Sequence, residues 1–240
     1  MPNDDWKLRN LMLLGESSVE RLKKSHVAVF GLGGVGSFAA EALARAGIGE
    51  LTLIDFDTVG ATNINRQLCA LHSTIGAPKA EIMAARTLDI NPSCKARPIV
   101  ERYSADTRSQ LLSTGYDWII DAIDLVSCKL DLIQSALENG IKIISSLGTG
   151  NKTDPTALRI TDISATKMCP LARVMRKELR KRGITHHRVL WSTEQTTAPE
   201  SLEEPPPGRR SVPASVCWVP GIAGLMLAGE VAMELGGRSD

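Results

Sequence analysis

Apolar residues along the first 150 positions follow two alternating spacings. Short apolar runs, typical of strands buried on both faces, give way to stretches in which apolar residues recur every three or four positions, as on one face of a helix. The predicted strands are His26–Phe30, Leu51–Ile54, Trp118–Ile120 and Ile141–Ile144, and the predicted helices are Val35–Ala46, Lys79–Asp89 and Ser127–Glu138. Strands that alternate with helices predict an α/β fold with a doubly wound, mostly parallel, Rossmann-like sheet.

The pattern changes after Gly150, which predicts a division into residues 1–150 and a C-terminal subdomain of residues 151–240. The second part contains a predicted strand at Leu158–Ile163, a basic amphipathic helix at Pro170–Arg182 and a strand at Val189–Trp191. Residues 194–210 contain four prolines and almost no large apolar side chain, which predicts a mobile loop.

The stretch Ser211–Gly229 carries no charge over 19 residues, which is close to membrane-spanning length. Pro213 and Pro220 interrupt it, and two glutamates follow at helical spacing. These features favour a buried C-terminal core helix over a membrane segment.

Composition narrows the class of protein. Of 240 residues, 43% are hydrophobic and 23% are charged, which excludes a disordered chain, a collagen-like repeat and a polytopic membrane protein. The net charge is +1, so any nucleic-acid contact must come from a local patch. The five cysteines form no CxxC pair, and the acidic N-terminus resembles no signal peptide. We therefore expect reduced thiols, no zinc site and a cytoplasmic protein.

A glycine-rich turn directly follows the first predicted strand and opens a helix. It contains Gly31, Gly33, Gly34 and Gly36, and Asp55 ends the next predicted strand. Glycines let phosphate oxygens approach the backbone, the helix N-terminus attracts an anion, and a carboxylate at that distance can accept hydrogen bonds from ribose. The sequence therefore predicts a nucleotide site over a merely structural turn.

Further polar residues favour a triphosphate over a nicotinamide cofactor. They are Asp57, Asn63, Arg66 and Lys79, with Asp124 after a later strand. Cations beside the β- and γ-phosphates would stabilise a leaving pyrophosphate. A carboxylate such as Asp124 suits Mg²⁺, which prefers oxygen ligands. Taken singly, Arg66 and Lys79 could equally be solvated surface charges.

The order GxGGxGS, DxDxVxxxNxxRQ, a downstream lysine and DxxD resembles the ubiquitin-activating-enzyme-like adenylating family, over Arg9 to about Leu147. The resemblance implies that residues 1–150 bind ATP and Mg²⁺ and adenylate a carboxylate. It assigns Asp55 to the ribose, Asn63, Arg66 and Lys79 to the phosphates, and Asp124 to the magnesium ion. It also implies a homodimer in which a partner subunit donates Arg9, although an arginine there is usually only solvated.

Segments elsewhere in the chain are most similar to one branch of that family, the tRNA threonylcarbamoyladenosine dehydratases. These segments are Thr161–Ser164, Pro170–Arg173 and Trp218–Gly224. The resemblance implies ATP-dependent cyclisation of threonylcarbamoyladenosine in tRNA through a carboxyl adenylate, with residues 151–240 facing the tRNA. It also allows a monovalent cation (K⁺ or Na⁺) and a sulfur-carrier protein or cysteine desulfurase as partner. No membrane partner is expected.

Three other functions remain open on sequence grounds. The first alternative is adenylation of the C-terminal glycine of a ubiquitin-like sulfur carrier protein, against which the absent zinc cysteines count. The other two are a nicotinamide-dependent oxidoreductase and a non-catalytic nucleotide-binding module.

The predicted basic helix carries six cations against one acid. They are Arg173, Arg176, Lys177, Arg180, Lys181 and Arg182. Neutralisation of phosphates by such a face suits tRNA, and the alternative is a solvated amphipathic helix. Cys169 and Cys217 are expected to be small core residues rather than thioester-forming nucleophiles, and His186 and His187 to lie on the surface.

Overall fold

A computed structural model describes residues 4–196 and 213–237 as one seven-stranded sheet with helices on both faces. The strands are β1 (His26–Phe30), β2 (Glu50–Ile54), β3 (Lys95–Ile99), β4 (Trp118–Asp121), β5 (Lys142–Ser146), β6 (Leu158–Asp162) and β7 (Arg188–Ser192). Their spatial order is β3-β2-β1-β4-β5-β7-β6. All neighbouring pairs are parallel except β6 with β7. This confirms the predicted doubly wound, mostly parallel sheet.

Eight α-helices accompany these strands in the described residues. They are α1 (Leu8–Leu14), α2 (Glu16–Lys24), α3 (Gly36–Ala46), α4 (Lys79–Ile90), α5 (Arg108–Leu112), α6 (Val126–Glu138), α7 (Pro170–Lys181) and α8 (Trp218–Leu235). Single turns of 3₁₀-helix lie at Asp4–Lys7, Ala61–Asn63, His72–Thr74, Pro155–Ala157 and Ile163–Ala165.

The sheet is buried on both faces, as a doubly wound sheet requires. In β1, Val27 and Val29 join the apolar layer under α2, α3, α4 and α8, whereas Ala28 and Phe30 join the layer under α5, α6 and α7. All four side chains are fully buried. A strand that is apolar at every position is therefore the expected sequence for the centre of this sheet.

The strand β3 was not predicted, because its five residues contain two cations and Pro98 and form no apolar run. It pairs only with β2 and forms one edge of the sheet. Edge strands tolerate proline and charge, since one side of the strand makes no ladder hydrogen bonds. Residues 151–237 add β7 and β6 to the same sheet rather than building a separate one. The assignment of ATP binding to residues 1–150 and of the tRNA-facing surface to residues 151–240 stays a prediction.

The predicted C-terminal core helix is present as α8, which begins at Trp218, seven residues later than the uncharged stretch. By length and composition alone α8 could cross a membrane, with a mean hydropathy of 1.3. However, Val219, Ala223, Leu227 and Val231 are fully buried, and the helix packs along α3. Of the predicted loop 194–210, only residues 194–196 are described, and 197–210 lie outside the described residues.

Candidate active site

A cleft of about 1000 Å³ opens at the carboxyl ends of β1, β2, β4 and β5. In an open α/β sheet, ligands bind at this edge, where successive connections leave in opposite directions. Nine of the predicted site residues line this cleft: Gly31, Gly33, Gly34, Asp55, Asp57, Asn63, Arg66, Lys79 and Asp124. Two do not, namely Gly36 and Arg9.

Two glycines shape the turn between β1 and α3. Gly31 has φ +86°, a conformation that side chains rarely allow, and a Cβ there would lie 2.8 Å from the carbonyl oxygen of Ala122. Gly36 serves packing: an added Cβ would overlap the carbonyl oxygen of Gly31. The absence of both side chains lets α3 begin directly at the cleft, so its N-terminus can face an anion.

Hydrogen bonds and packing hold the rest of the turn. The Ser37 hydroxyl donates to the carbonyl oxygen of Gly33 at 2.6 Å and accepts from the amide of Leu68 at 3.1 Å. On the other side, Gly34 lies against Pro220, the third residue of α8. The N-terminal end of α8 therefore supports the same turn that lines the cleft.

The Asp55 carboxylate holds two backbone amides at the floor of the cleft. Its oxygens accept from the N–H of Leu32 at 2.6 Å and from that of Asp57 at 2.8 Å. Burial raises the pKa of Asp55, and these amides and the charge of Lys79 oppose the rise. Each carboxylate oxygen can accept a second hydrogen bond. Asp55 can therefore fix the glycine turn and still accept ribose hydroxyls.

The Lys79 ammonium lies at the N-terminus of α4 and forms an ion pair with Asp57. The two atoms, Nζ and Oδ2, are 3.0 Å apart. The Lys79 side chain is 5% exposed and that of Asp57 is 48% exposed. Solvent reaches the Asp57 side of the pair and screens the attraction. Asp57 therefore keeps the ammonium placed at the cleft without binding it too tightly to engage a phosphate.

The connection after β2 carries three more polar side chains. Asn63 Oδ1 accepts from the amide of Gly60 at 3.1 Å, which closes the turn Ala61–Asn63. The Arg66 guanidinium donates to the carbonyl oxygen of Thr62 at 2.9 Å and to Asn65. These contacts orient Arg66 at the cleft.

Gln67 was not among the predicted site residues, although it belongs to the motif that contains Arg66. It is buried and lines the cleft, with its amide nitrogen near Gly33. The run Asn-x-Asn-Arg-Gln, which ends with Gln67, is the sequence feature that could have identified this residue.

Asp124 lies on the cleft wall, exposed, in the turn after β4. Among the described residues, no three His, Cys, Asp or Glu side chains lie close enough to form a metal cage. Mg²⁺ at nucleotide sites is usually held by one or two carboxylates together with phosphates and water. One carboxylate beside a cleft of this size fits Mg²⁺ that arrives with a nucleotide.

Arg9 is remote from the cleft of its own chain. It is exposed on α1, whose neighbour Asn10 donates to the carbonyl oxygen of Arg45 at 2.7 Å. Arg45 lies at the carboxyl end of α3, whereas the cleft lies at the amino end of that helix. Arg9 can therefore reach a cleft only if that cleft belongs to another subunit.

Comparison with known proteins agrees with this geometry. The ThiF family model matches residues 7–238. The chain belongs to the ThiF family. It is 44% identical, over 95% of its length and 93% of the relative's, to tRNA threonylcarbamoyladenosine dehydratase of Bacillus subtilis. The solved structure of the E. coli tRNA N6-threonylcarbamoyladenosine dehydratase in complex with ATP covers the whole chain, with a TM-score of 0.85 and 35% identity.

Similarity to a protein of a different name is shorter. Molybdopterin-synthase adenylyltransferase of Salmonella typhimurium is 37% identical over 126 residues, which is 52% of this chain and 50% of that protein.

Three of the six predicted RNA-binding cations of this ThiF-family chain have partners within the chain. The Arg176 guanidinium donates to the Thr166 carbonyl oxygen and hydroxyl, both at 2.6 Å, and holds the segment before α7. Lys181 pairs with Glu178 at 2.8 Å. The Arg182 guanidinium also donates to the Glu178 carbonyl oxygen, at 3.0 Å.

The remaining three cations form one row. Arg173, Lys177 and Arg180 are exposed and make no hydrogen bond or ion pair through their side chains within the described part of the chain. Their spacing of four and three residues puts them on one side of α7, over about 10 Å of helix axis. Leu171, in the first turn of α7, lines the cleft. The row therefore begins near the cleft and leads away from it.

The cysteines differ from one another in exposure. Cys169 is buried at the start of α7, as expected, but Cys217 is exposed, so its prediction as a core residue is wrong.

Burial raises the pKa of both Cys69 and Cys94 to about 11, which leaves them thiols at neutral pH. Cys128 lines the cleft, and its thiol donates to the carbonyl oxygen of Tyr103 at 3.2 Å.

The prediction that both histidines lie on the surface is right for His186 and wrong for His187. His187 is 5% exposed, and one ring nitrogen lies 2.8 Å from the Ser145 hydroxyl. Burial, helped by the charge of Lys129, lowers its pKa to about 3. The residue directly precedes β7, which lies inside the sheet, and nothing in the local sequence marks that position.

This burial predicts acid sensitivity. Between pH 6.5 and about 3, the unfolded chain protonates His187 while the folded protein excludes the proton. Stability present above pH 6.5 is therefore lost as the pH falls, by up to about 1.4 kcal/mol per pH unit from this group. In urea unfolding at pH 7.5 and 5.5, His187→Gln should lose less stability on acidification than the unsubstituted protein. The matched control is His72→Gln, at an exposed site, and an equal loss in His187→Gln would contradict the assignment.

Proposed function

We propose that this protein is an ATP-dependent tRNA threonylcarbamoyladenosine dehydratase. The proposal rests on the end-to-end similarity to dehydratases of that name, together with a cleft whose lining residues suit ATP. The substrate has a free carboxylate on its threonyl part. Adenylation of this carboxylate and ring closure within the same side chain give a net loss of water.

The polar residues that were predicted from the sequence motifs have the following roles in ATP binding under this proposal. The N-terminus of α3 and the amides of the glycine turn face the phosphates, and Asp55 accepts the ribose hydroxyls. Arg66 and Lys79, with Asn63 beside them, meet the β- and γ-phosphates, where charge builds as pyrophosphate leaves. Asp124 would hold Mg²⁺, which when bound neutralises phosphate charge.

The reaction has two chemical steps, adenylation and ring closure, and neither requires a nucleophile from the protein. A carboxylate oxygen attacks the α-phosphorus, and pyrophosphate leaves with the bonding electrons. A nucleophilic atom of the carbamoyl group then attacks the acyl carbon, loses its proton and expels AMP. Intramolecular ring closure needs mainly positioning and exclusion of water. Cys128 is the cysteine that lines the cleft, and no step requires its thiolate.

The row Arg173, Lys177 and Arg180 is proposed to bind the tRNA backbone. Its first residue lies near the cleft, so a backbone that follows it would leave a modified base within reach of the ATP. Arg176 is removed from this interface because it already holds Thr166. Lys181 and Arg182 have partners on Glu178, so their contribution is expected to be smaller.

Replacing the row by alanines should weaken tRNA binding without changing ATP binding. The slope of log affinity against log salt concentration should become shallower by about three, one for each lost phosphate contact. Filter binding at several salt concentrations measures this slope. The charge-matched control replaces Lys23, Lys24 and Lys95, which are exposed near the amino ends of β1 and β3, away from α7. Equal losses in both triple variants would contradict a specific interface.

A homodimer is proposed on the position of Arg9 and on the apolar surface around it. Leu8, Met12 and Leu13 are 53%, 70% and 71% exposed in the single chain. Burial of such a surface against a second copy would lower the free energy of the assembly and carry Arg9 to the partner's cleft. A cytoplasmic location is also proposed, from the cysteine usage, and a monovalent cation (K⁺ or Na⁺) is proposed from family resemblance alone.

The runner-up function is adenylation of a ubiquitin-like sulfur carrier protein. Similarity of about half the chain to molybdopterin-synthase adenylyltransferase keeps it as the alternative. The two functions are distinguished by pyrophosphate and AMP release measured with three substrates: tRNA that carries threonylcarbamoyladenosine, the same tRNA without it, and a carrier protein. We expect both products only with the modified tRNA. Pyrophosphate without AMP from the carrier alone would favour the runner-up, because the carrier adenylate keeps its AMP until a sulfur-transfer partner such as a cysteine desulfurase supplies a nucleophile.

A further inference from the structure

A buried ion pair lies directly behind the cleft wall. The Lys129 ammonium and the Asp121 carboxylate are 2.7 Å apart, and their side chains are 1% and 0% exposed. Asp121 is the last residue of β4, and Lys129 lies in α6, one turn beyond the connection that follows. Neither residue lines the cleft. The roles proposed above use neither of them.

The pair fixes the connection between β4 and α6. While one Asp121 oxygen binds Lys129, the other accepts from the amide of Ile123 at 3.0 Å. The Asp121 carbonyl oxygen also lies 3.4 Å from the Lys129 ammonium. Both carboxylate oxygens and the backbone of the same residue are thus held by donors from the next eight residues.

The connection held in this way touches two parts of the nucleotide cleft. Ala122, Ile123 and Asp124 all line it. The amide of Ala122 donates to the carbonyl oxygen of Phe30 at 2.8 Å, and the Ala122 carbonyl oxygen occupies the space that a Cβ at Gly31 would need. A shift of this connection would therefore move Asp124 and the glycine turn together.

We propose that Lys129 is a positioning residue that acts through Asp121 to place Asp124 for the magnesium–ATP complex. The inference rests on the proposed role of Asp124 and extends it to a buried cation that does not line the cleft.

The contact that carries the proposal is the 2.7 Å ion pair between Lys129 and Asp121.

Charge on this pair is balanced locally. Among the described residues, Lys129 is the cation that contacts Asp121, and the nearby imidazole of His187 is neutral at physiological pH because burial and the charge of Lys129 lower its pKa. Loss of the Lys129 charge alone would leave a buried carboxylate uncompensated. Replacing both partners by neutral residues removes that penalty, so the pair can be tested without leaving a buried charge.

The test uses the double variant Asp121→Asn/Lys129→Met. The control is Lys142→Met, which removes the lysine of an exposed ion pair at the amino end of β5. ATP binding is measured by calorimetry over a series of Mg²⁺ concentrations, without tRNA. We expect the Mg²⁺ concentration for half-maximal ATP binding to rise at least tenfold in the double variant and to stay unchanged in the control. A folded double variant with an unchanged Mg²⁺ response would overturn the proposal.

A second measurement does not depend on the folding of a variant. Hydrogen exchange of the unsubstituted protein reports on the Ile123 amide, which should exchange slowly even without nucleotide because Asp121 holds it. Exchange as fast as in an open turn would overturn the proposal. If the unsubstituted protein binds magnesium–ATP but forms no cyclised nucleoside, the proposed function fails and both readouts for Lys129 still stand.

Discussion

Replacing Arg66 by alanine is expected to lower the rate of AMP formation about 10²–10³-fold, as for the loss of one preorganised group that stabilises transition-state charge. The guanidinium is oriented at the cleft by Thr62 and Asn65, so it needs no reorganisation when pyrophosphate leaves. AMP release from modified tRNA, followed by chromatography, measures the effect. The fold should be unaffected, because Arg66 makes only partly exposed contacts.

Arg45→Ala is the matched control for this variant, since Arg45 pairs with Glu41 at the far end of α3. Its activity should stay close to that of the unsubstituted protein. Arg9→Ala tests the dimer in the same assay. It should also lower the rate of AMP formation, and a heterodimer of Arg9→Ala with Arg66→Ala subunits should recover activity, because one of its two clefts has both arginines. Undiminished AMP formation by Arg66→Ala would remove this residue from the active site.

Replacing Gly36 by alanine is expected to destabilise the protein by about 3 kcal/mol, at the upper end of the usual cost of overpacking. The added Cβ would overlap the carbonyl oxygen of Gly31, and backbone atoms cannot move aside as a flexible side chain can. For a chain of this length, the loss corresponds to a fall in Tm of roughly 6–12 °C. Calorimetry or thermal unfolding followed by circular dichroism measures it.

Gly33→Ala provides the contrast, because a Cβ there would meet only the end of the Gln67 side chain, at 3.7 Å. Its Tm should stay within about 2 °C, since surface substitutions away from special features usually change stability little. ATP binding should nevertheless weaken, because the methyl group faces the cleft. Equal falls in Tm for the two variants would contradict the division of the turn into a packing glycine and a ligand-facing glycine.

The candidate site was largely predictable because its residues belong to sequence motifs whose positions follow the strands. Gly31 and Asp55 stand at the carboxyl ends of β1 and β2, and parallel strands bring such ends to one edge. The same argument placed Asp124 after β4. Local sequence thus determined both the fold of this region and the edge at which its polar residues gather.

Contacts between distant segments were not predictable. The helical pattern of α7 identifies its cations but does not show that Arg176 binds Thr166, because that partner depends on how the preceding segment folds back. The burial of His187 depends on β7 lying between β5 and β6. Lys129 looks like an ordinary surface lysine in the sequence, and only the packing of α6 against the sheet reveals the buried pair.

The most direct test of the proposed function is mass spectrometry of nucleosides from tRNA that carries threonylcarbamoyladenosine. The tRNA is incubated with the protein, ATP and Mg²⁺, and a parallel reaction omits ATP. The account predicts an ATP-dependent nucleoside lighter by one water molecule, with AMP formed in equal amount. Unchanged nucleoside from protein that binds ATP would contradict the account.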